Sequence, residues 1–533
     1  MRFQLTMLSF WLIGQVVAQV EVQVNHTGNA NYPNEPTICI DRQNPLNITV
    51  GANINNHYVS DDGGRTWSDS LFTSKYGVYG DPVLQSTSYG GITLLAHLAF
   101  NTEKSIKAKN YDFIDRIVVQ RSKDGGKSFD DGNYAGLNGD RMQDKPWITV
   151  DESIFYGQTY LTWTEFDKLG SKRKKYKSRI RCAVSPNLGE TWGTAITISD
   201  STGDCVDDDH TLEGATTAVG ADGEVYCAWA GHHKIWFDKS SDRGVTWGTD
   251  KVIAEQYAGW AMDVEHVYRT NGMPFLLSDL SHGKFHGRLY LVYGDRVGED
   301  ANIYLIHSDD KGSTWSKPAI VHQGSLGGGK EQYMPNMTID QSDGTLAIVY
   351  YDRRNVINNA FSDVYMSVSR DGGETFQDVR LNSLITASHG AGTFSGDYID
   401  IDMYQGQVAV VWASYDEYQK IFTRVGSLEE VMQEPNWLPN QFCFETVVEG
   451  NTMHMYMRTT QPLEIGYGYS KRIFPFGRRT VVKTVQVLCA DDGTATNDVH
   501  QQWPMRARFD QALIVRNGDR IVFQRTEVNN KRK

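Results

Sequence analysis

Ionisable residues recur at one kind of place in this chain, just before or at the start of short apolar runs that read as strands. Glu35, Asp81, Asp144 with Lys145 and Trp147, Glu213, and Asp397 with Tyr398 hold such positions. After the following run come His232-His233, Asp295-Arg296 and Asp352-Arg353-Arg354. Cleaving a glycosidic bond needs one group to protonate the leaving oxygen and a second to attack or to activate water, so carboxyls converging on one space are its minimal equipment. Tyr398, Asp397, Glu213, Asp81 and Asp144 form the expected catalytic set. Arg296, Arg353, Arg354, His232, His233, Lys145 and Trp147 form the expected substrate-binding set, the arginines because a guanidinium grips an anion through paired hydrogen bonds. Plainer roles stand beside these. Lone acids before a strand form turns, Asp-Arg dipeptides pair across neighbouring elements, and adjacent histidines without a third ligand make no metal site, so none is expected.

A repeat must bring these residues together. The pattern Ser-x-Asp-x-Gly-x-Thr-Trp, with variants, begins at Ser60, Ser122, Ser185, Ser240, Ser308 and Ser369, returning every 55–68 residues. Such a period marks an array in which each repeat is one supersecondary unit. Within a unit the order is constant: an apolar strand, a Gly or Asp-Gly turn, a second strand, then a third running into the motif, as in Gly214–Val219, Val225–Trp229, Lys234–Asp238 and Ser240. A seventh unit, at Tyr398–Met403, Val408–Trp412 and Ile421–Val425, has the strands without the motif. The expected fold is therefore all-β, a β-propeller of seven blades over 30–435, with six as the fallback. Residues 436–533 are expected to form a small C-terminal β appendage or to supply a ring-closing strand.

With six such motifs at blade spacing, the chain resembles the BNR or Asp-box repeat proteins, which include sialidases and other glycan-active propellers. The resemblance covers roughly residues 30–430. It implies that the motif is a structural turn between third and fourth strands, its aromatic packing between blades, and that chemistry lies on the opposite face. It also implies a sialidase-like role for Tyr398 as nucleophile with Arg296 and Arg353 holding a carboxylate. The Arg-Ile-Pro signature of sialidases is absent, and Arg42 stands in an Asp-Arg-Gln-Asn-Pro turn on the motif's own face. Propeller-shaped polysaccharide lyases use a neutral base, for which His232 or His233 with Tyr398 and Arg353 would serve. A glycoside hydrolase acting on an acidic oligo- or polysaccharide is the first expectation, with a lyase and a non-catalytic binding propeller as alternatives.

Bulk properties narrow the partners. A net charge of -13 argues against nucleic acid, whose binders draw affinity from basic surface. One segment departs from that balance: Lys168–Arg179 carries seven basic residues, reading either as a solvated loop or as an anion-gathering lip. Residues 1–18, with Arg2, an apolar run from Leu5 to Val17 and Ala18, read as a secretory signal, implying a secreted protein with no later membrane span. Six cysteines permit 15 full pairings. Cys443 with Cys489 is the preferred bridge because both fall in the tail lacking the repeat, and Cys182 and Cys227 read as buried thiols. Asn25, Asn47 and Asn336 open glycosylation triplets for a eukaryotic host. No cofactor is expected, although Asp207-Asp208-Asp209-His210 has oxygens enough for a structural calcium.

Overall fold

Six hydrogen-bonded turns carry the repeat, and their chemistry explains its spelling. In the fifth copy Ser308 Oγ donates to Asp310 Oδ1 (2.8 Å) and accepts the Gly312 amide (2.9 Å). Asp310 in turn accepts the Thr314 amide (2.8 Å) and hydroxyl (2.7 Å). The serine contact to the glycine amide repeats at Ser60, Ser122, Ser185, Ser240 and Ser369. Asn187 replaces the acid in the third copy, and its Oδ1 alone accepts the Thr191 amide (2.9 Å) and hydroxyl (3.2 Å). The turn therefore needs a short side-chain oxygen more than a charge.

These bonds also set an acid dependence. Hydrogen bonds from Thr246 and then Ser240 hold the Asp242 carboxyl down to about 2. A depressed carboxylate stabilises the fold above its unfolded pKa and stops doing so as pH falls through the folded value. Because Ser308 is buried, Ser308→Ala strands the Gly312 amide and is expected to cost about 1–3 kcal/mol, read from the denaturant midpoint. Asp310→Asn should shift that midpoint far less, as Asn187 shows.

Each turn locks onto the blade before it. Gly312 sits at φ +75°, and a Cβ there would lie 2.3 Å from Phe237 of the preceding blade. Trp315 meets the same ring edge-on at 5.3 Å. A side chain at Gly312 would be strained and would also clash, so glycine is required at this position.

In the computed structural model the described residues are 21–25, 33–100, 114–152, 157–324, 327–356, 359, 361–384, 394–415 and 419–435, with the backbone of seven strands between 442 and 527. Seven antiparallel four-stranded sheets follow in chain order, and the seven-bladed expectation holds. Their inner strands are Thr37–Ile40, Gly80–Ser86, Met142–Val150, Glu213–Val219, Phe275–Ser278, Gln332–Asp340 and Asp400–Tyr404. Neighbouring blades share apolar cores in which second and third strands are largely buried, as in Val225–Gly231 and Thr345–Asp352. The seventh blade has no Asp-box turn, its third strand running at Ser427 into the short helix Leu428–Val431. Its outer strand is Val22–Gln23, paired with Thr423 and Phe422, so the N-terminal segment and not the tail completes this blade. The tail itself forms a three-stranded and a four-stranded antiparallel sheet.

Local details settle smaller expectations. Cys39, Cys182, Cys205 and Cys227 are buried free thiols, and the proposed Cys443–Cys489 bridge and the segment 1–18 lie outside the described residues and side chains. Asn25 and Asn336 are buried with their amides donating to Gln419 and Ile399 carbonyls (3.0 and 2.9 Å), so the folded chain offers neither to a glycan. Among the described residues no helix is long and apolar enough to cross a membrane.

Candidate functional site

Four inner strands begin with the same irregularity. Between Gly80 and Val83, Asp144 and Trp147, Glu213 and Thr216, and Tyr333 and Asn336, two residues oppose one on the second strand. The extra residue of a β-bulge bends the strand and re-aims a side chain, a device common beside functional sites. Asp81 (φ 49°), Lys145 (φ 50°) and Met334 (φ 52°) sit in these bulges in left-handed conformation, each before a proline, and Glu35 (φ 49°) precedes Pro36 in blade 1. Left-handed backbone costs a non-glycine residue roughly 1–2 kcal/mol, which the surrounding ring must override.

The re-aimed side chains meet at the axis, at the end away from the Asp-box turns. Those turns share their face with the first-to-second loops, as the Gly63 amide bonded to the Leu46 carbonyl shows (2.9 Å). Lys145 Nζ lies 2.6 Å from Asp397, 3.5 Å from Asp81 and 3.8 Å from Glu35. Arg269 bridges Asp397 (2.8 Å) and Asp207 (3.2 Å). The Trp260 indole donates to Asp207 (3.2 Å), and the Asn271 amide donates to the Asp397 carbonyl (2.9 Å). Glu35, Asp81, Lys145, Glu213 and Asp397 are buried, while Asp144, Asp207 and Arg269 reach solvent in part.

Six carboxyls and two cations cannot all be ionised in this space. Burial, then Asp81, pushes Glu35 well above the usual carboxylate range. Burial, then Asp207, does the same to Glu213. Burial raises Asp144 to about 7, against the pull of Lys145. Burial works on Asp397 too, but Lys145 and Arg269 outweigh it and hold this carboxyl below its ordinary value. No donor reaches either oxygen of Glu213 or Asp397 Oδ1 among the described residues. Glu213 faces the Asp207 carboxyl, and two carboxyls can bond only if one keeps its proton. Asp397 Oδ1 is therefore an open acceptor on an ionised group, and a buried acceptor left open costs about 1–3 kcal/mol.

A raised carboxyl stabilises the fold below its unfolded pKa, and that contribution fades as pH rises through the folded value. Glu213→Gln mimics the neutral form. The stability of the native chain relative to this variant is expected to decline as pH rises above the ordinary glutamate value of about 4.3, a trend read from melting temperatures at a series of pH values.

The remaining expected site residues are placed differently. Tyr398 is buried, its hydroxyl donates to the Pro82 carbonyl (3.2 Å), and burial raises its pKa well above normal, so it is not poised as a nucleophile. Trp147 packs edge-on against Phe275 (5.2 Å). These aromatics stand between the carboxyl cluster and a cavity of about 600 Å³ on the Asp-box side, lined by Ile148, Val219, Met337 and Ile401 and by the Arg42–Asp402 pair (2.7 Å). Asp400 in that cavity is raised to about 7 by burial, but Thr37, Ile38, Ile401 and Asn336 all donate to it, so it braces the inner strands. The convergent ionisable groups lie in the cluster above, not in this cavity.

The three arginines expected to bind substrate are saturated by protein acids. Arg296 and Arg353 share Glu331, with Arg353 fully buried, and Arg354 pairs with Asp352 and Asp378. Acids 22 to 35 residues away in sequence decide this, and the dipeptides alone do not reveal it. His232 and His233 (φ 57° and 59°) form the two-residue turn joining second and third strands of blade 4, where left-handed backbone suits a hairpin. Asp207, Asp208 and Asp209 bond Trp260, the His210 amide and the Ala261 amide. Among the described residues no group of three or more His, Cys, Asp or Glu is arranged to hold a metal. Arg269, Asp207 and Trp260 carry no local sequence signal as a set, since Arg269 and Trp260 lie in the irregular crossover between blades 4 and 5.

Comparisons with known proteins accord with this architecture. A model described as a BNR repeat-like domain matches residues 157–397, and one for the BNR/Asp-box repeat matches residues 58–69. No curated protein matches the chain. Among solved structures, the Hadza microbial sialidase Hz136 is similar at 14% identity and TM-score 0.42, over 72% of this chain and 74% of that one. The α-L-arabinofuranosidase Arb93A of Fusarium graminearum is similar at 11% identity and TM-score 0.42, over 79% and 100%. Ycf48 bound to D1 peptide is similar at 11% identity and TM-score 0.39, over 77% and 96%. Six hydrogen-bonded Asp-box turns set in seven blades make this chain a seven-bladed β-propeller with Asp-box repeats, and the two repeat models match inside it.

Proposed function

We propose that this propeller is a carbohydrate-active enzyme, exported by way of residues 1–18, that hydrolyses glycosidic bonds of an acidic glycan. One observation carries the reading: within a single cluster Asp144 is pushed up to about 7 while Asp397 is held ionised. Carboxyls whose environments drive their pKa values apart are how one site supplies an acid and an anion at neutral pH. In this reading Asp144, partly exposed, protonates the leaving oxygen. Asp397, buried behind it and kept charged by Lys145, supplies the fixed negative charge that stabilises the cationic sugar while water attacks and returns a proton to Asp144. The solvent-facing edge of Arg269 receives a substrate carboxylate.

The test is product analysis. Incubating the full chain with a panel of acidic and neutral glycans should release reducing sugar without absorbance from an unsaturated uronate. Unsaturated product would make the protein a lyase instead, and retention of a glycan with no product of either kind would leave a binding propeller.

A further inference from the structure

Three loops on the cluster's face are stitched into one surface. Loop 167–177, joining second and third strands of blade 3, is tied to the segment before blade 4 by the Gly170 amide to the Cys205 carbonyl (2.6 Å) and by reciprocal Ser178–Gly203 bonds (3.1 Å each). That segment is tied to the crossover 256–274 through Asp207 to Arg269 (3.2 Å) and Asp209 to the Ala261 amide (2.9 Å). The loops thus form a continuous track past the partly open mouth at Asp144, Asp207 and Arg269.

Charge and aromaticity are distributed unequally along it. Arg179 and Arg141, at the root of the first loop, are paired with Glu165 and Asp167. Lys168, Lys172, Arg173, Lys174 and Lys175 are exposed, and no acidic side chain among the described residues pairs with any of them, in a chain of net charge -13. At the other end Tyr257 and Tyr268 are 67% and 59% exposed, the two exposed large aromatics among the described residues. The Tyr257 backbone is held by Asp295, which accepts its amide (3.0 Å), and Tyr268 directly precedes Arg269, whose side chain is anchored on Asp397 and Asp207. Fixed backbone with an open ring is a platform for a flat apolar face, which a pyranose ring presents through its C–H groups.

Resting on the hydrolase reading of the adjoining cluster, we infer that this track binds an extended anionic polysaccharide, with the lysine-rich loop holding its charges and Tyr257 and Tyr268 stacking on its rings. The enzyme would then cut within a chain instead of trimming its end. A single-stranded DNA also combines charge with stacking faces, but its phosphates would have to pass the partly exposed Asp144 and Asp207 carboxyls, and its deoxyribose has no hydroxyl within the strand to donate to them.

Affinity electrophoresis of the full chain through gels cast with hyaluronan, alginate, chondroitin sulfate or neutral dextran tests this. Retardation is expected in at least one polyanion gel and none in dextran. The triple variant Lys172→Gln/Lys174→Gln/Lys175→Gln should bind about tenfold more weakly at about 0.05 M salt, with the gap closing near 0.5 M. Tyr257→Ala/Tyr268→Ala should lose retardation at both salts. All five sites are on the surface, so folding is not at stake. Equal retardation in dextran, unaltered variants, or displacement of the polyanion by oligo-dT at equal charge would overturn the inference. A chain that is retarded yet releases no sugar refutes the hydrolase reading and leaves the track standing. One that cleaves oligosaccharides without retardation does the reverse.

Discussion

Asp144→Asn is expected to lower kcat by about 10²–10⁴, the usual yield of a positioned proton donor, with the melting temperature nearly unchanged. The fold survives because the Asp144 oxygen that accepts the Lys145 amide (3.0 Å) has an equivalent in asparagine. A second signature separates catalysis from mere contact. With the acid pushed up to about 7, native activity should fall as pH rises through that value, since the deprotonated form has nothing to donate. The residual activity of the variant should lack that alkaline limb. Activity of Asp144→Asn within a few-fold of native would remove this residue from the chemistry.

Lys145→Met should produce the largest loss of stability. The ammonium lies within 4 Å of three acids and is itself nearly inaccessible, so its removal leaves a buried cluster with Arg269 as sole counter-charge. Breaking a buried ion pair from one side costs about 3–5 kcal/mol, because the orphaned partner keeps its desolvation penalty. Burial opposes the charge on Lys145, but Asp397, then Asp81, raises its pKa well above normal. A raised base stabilises the fold at all pH values below its unfolded pKa, so the native advantage persists through neutral pH. In acid the variant should recover part of the deficit, as Asp397 takes up a proton and no longer needs a cation. Denaturant midpoints at pH 7 and near pH 4 measure both effects, and a variant as stable as the native chain would refute the account.

Much of this was legible in the sequence, and the residues show why. Ser60 to Thr66 and its five relatives are local turns whose bonds span at most four positions, so spacing alone reveals them and hence the blades. Strand starts inherit the same phase, which is why Glu35, Asp81, Lys145, Glu213 and Asp397 could be expected on one axis. What local pattern cannot encode is partner choice. Whether Arg353 faces a ligand or Glu331 depends on an acid 22 residues away on another strand. Arg269 reaches Asp397 across 128 residues through an irregular crossover. Nor does local pattern show that the Tyr398 hydroxyl turns to the Pro82 carbonyl, since a side chain's direction at a strand start follows the backbone geometry there. Val22–Gln23 is too short to show any alternation.

That two-residue strand has a bearing on biogenesis. Val22 and Gln23 bond to Thr423 and Phe422, and the Glu21 carboxylate accepts the Ser383 amide (2.6 Å), so residues made among the first must wait for partners some 360–400 positions later. Until the strand Gln419–Ser427 has emerged, Val22–Gln23 has no partner, so the ring of blades cannot close before most of the propeller has been made.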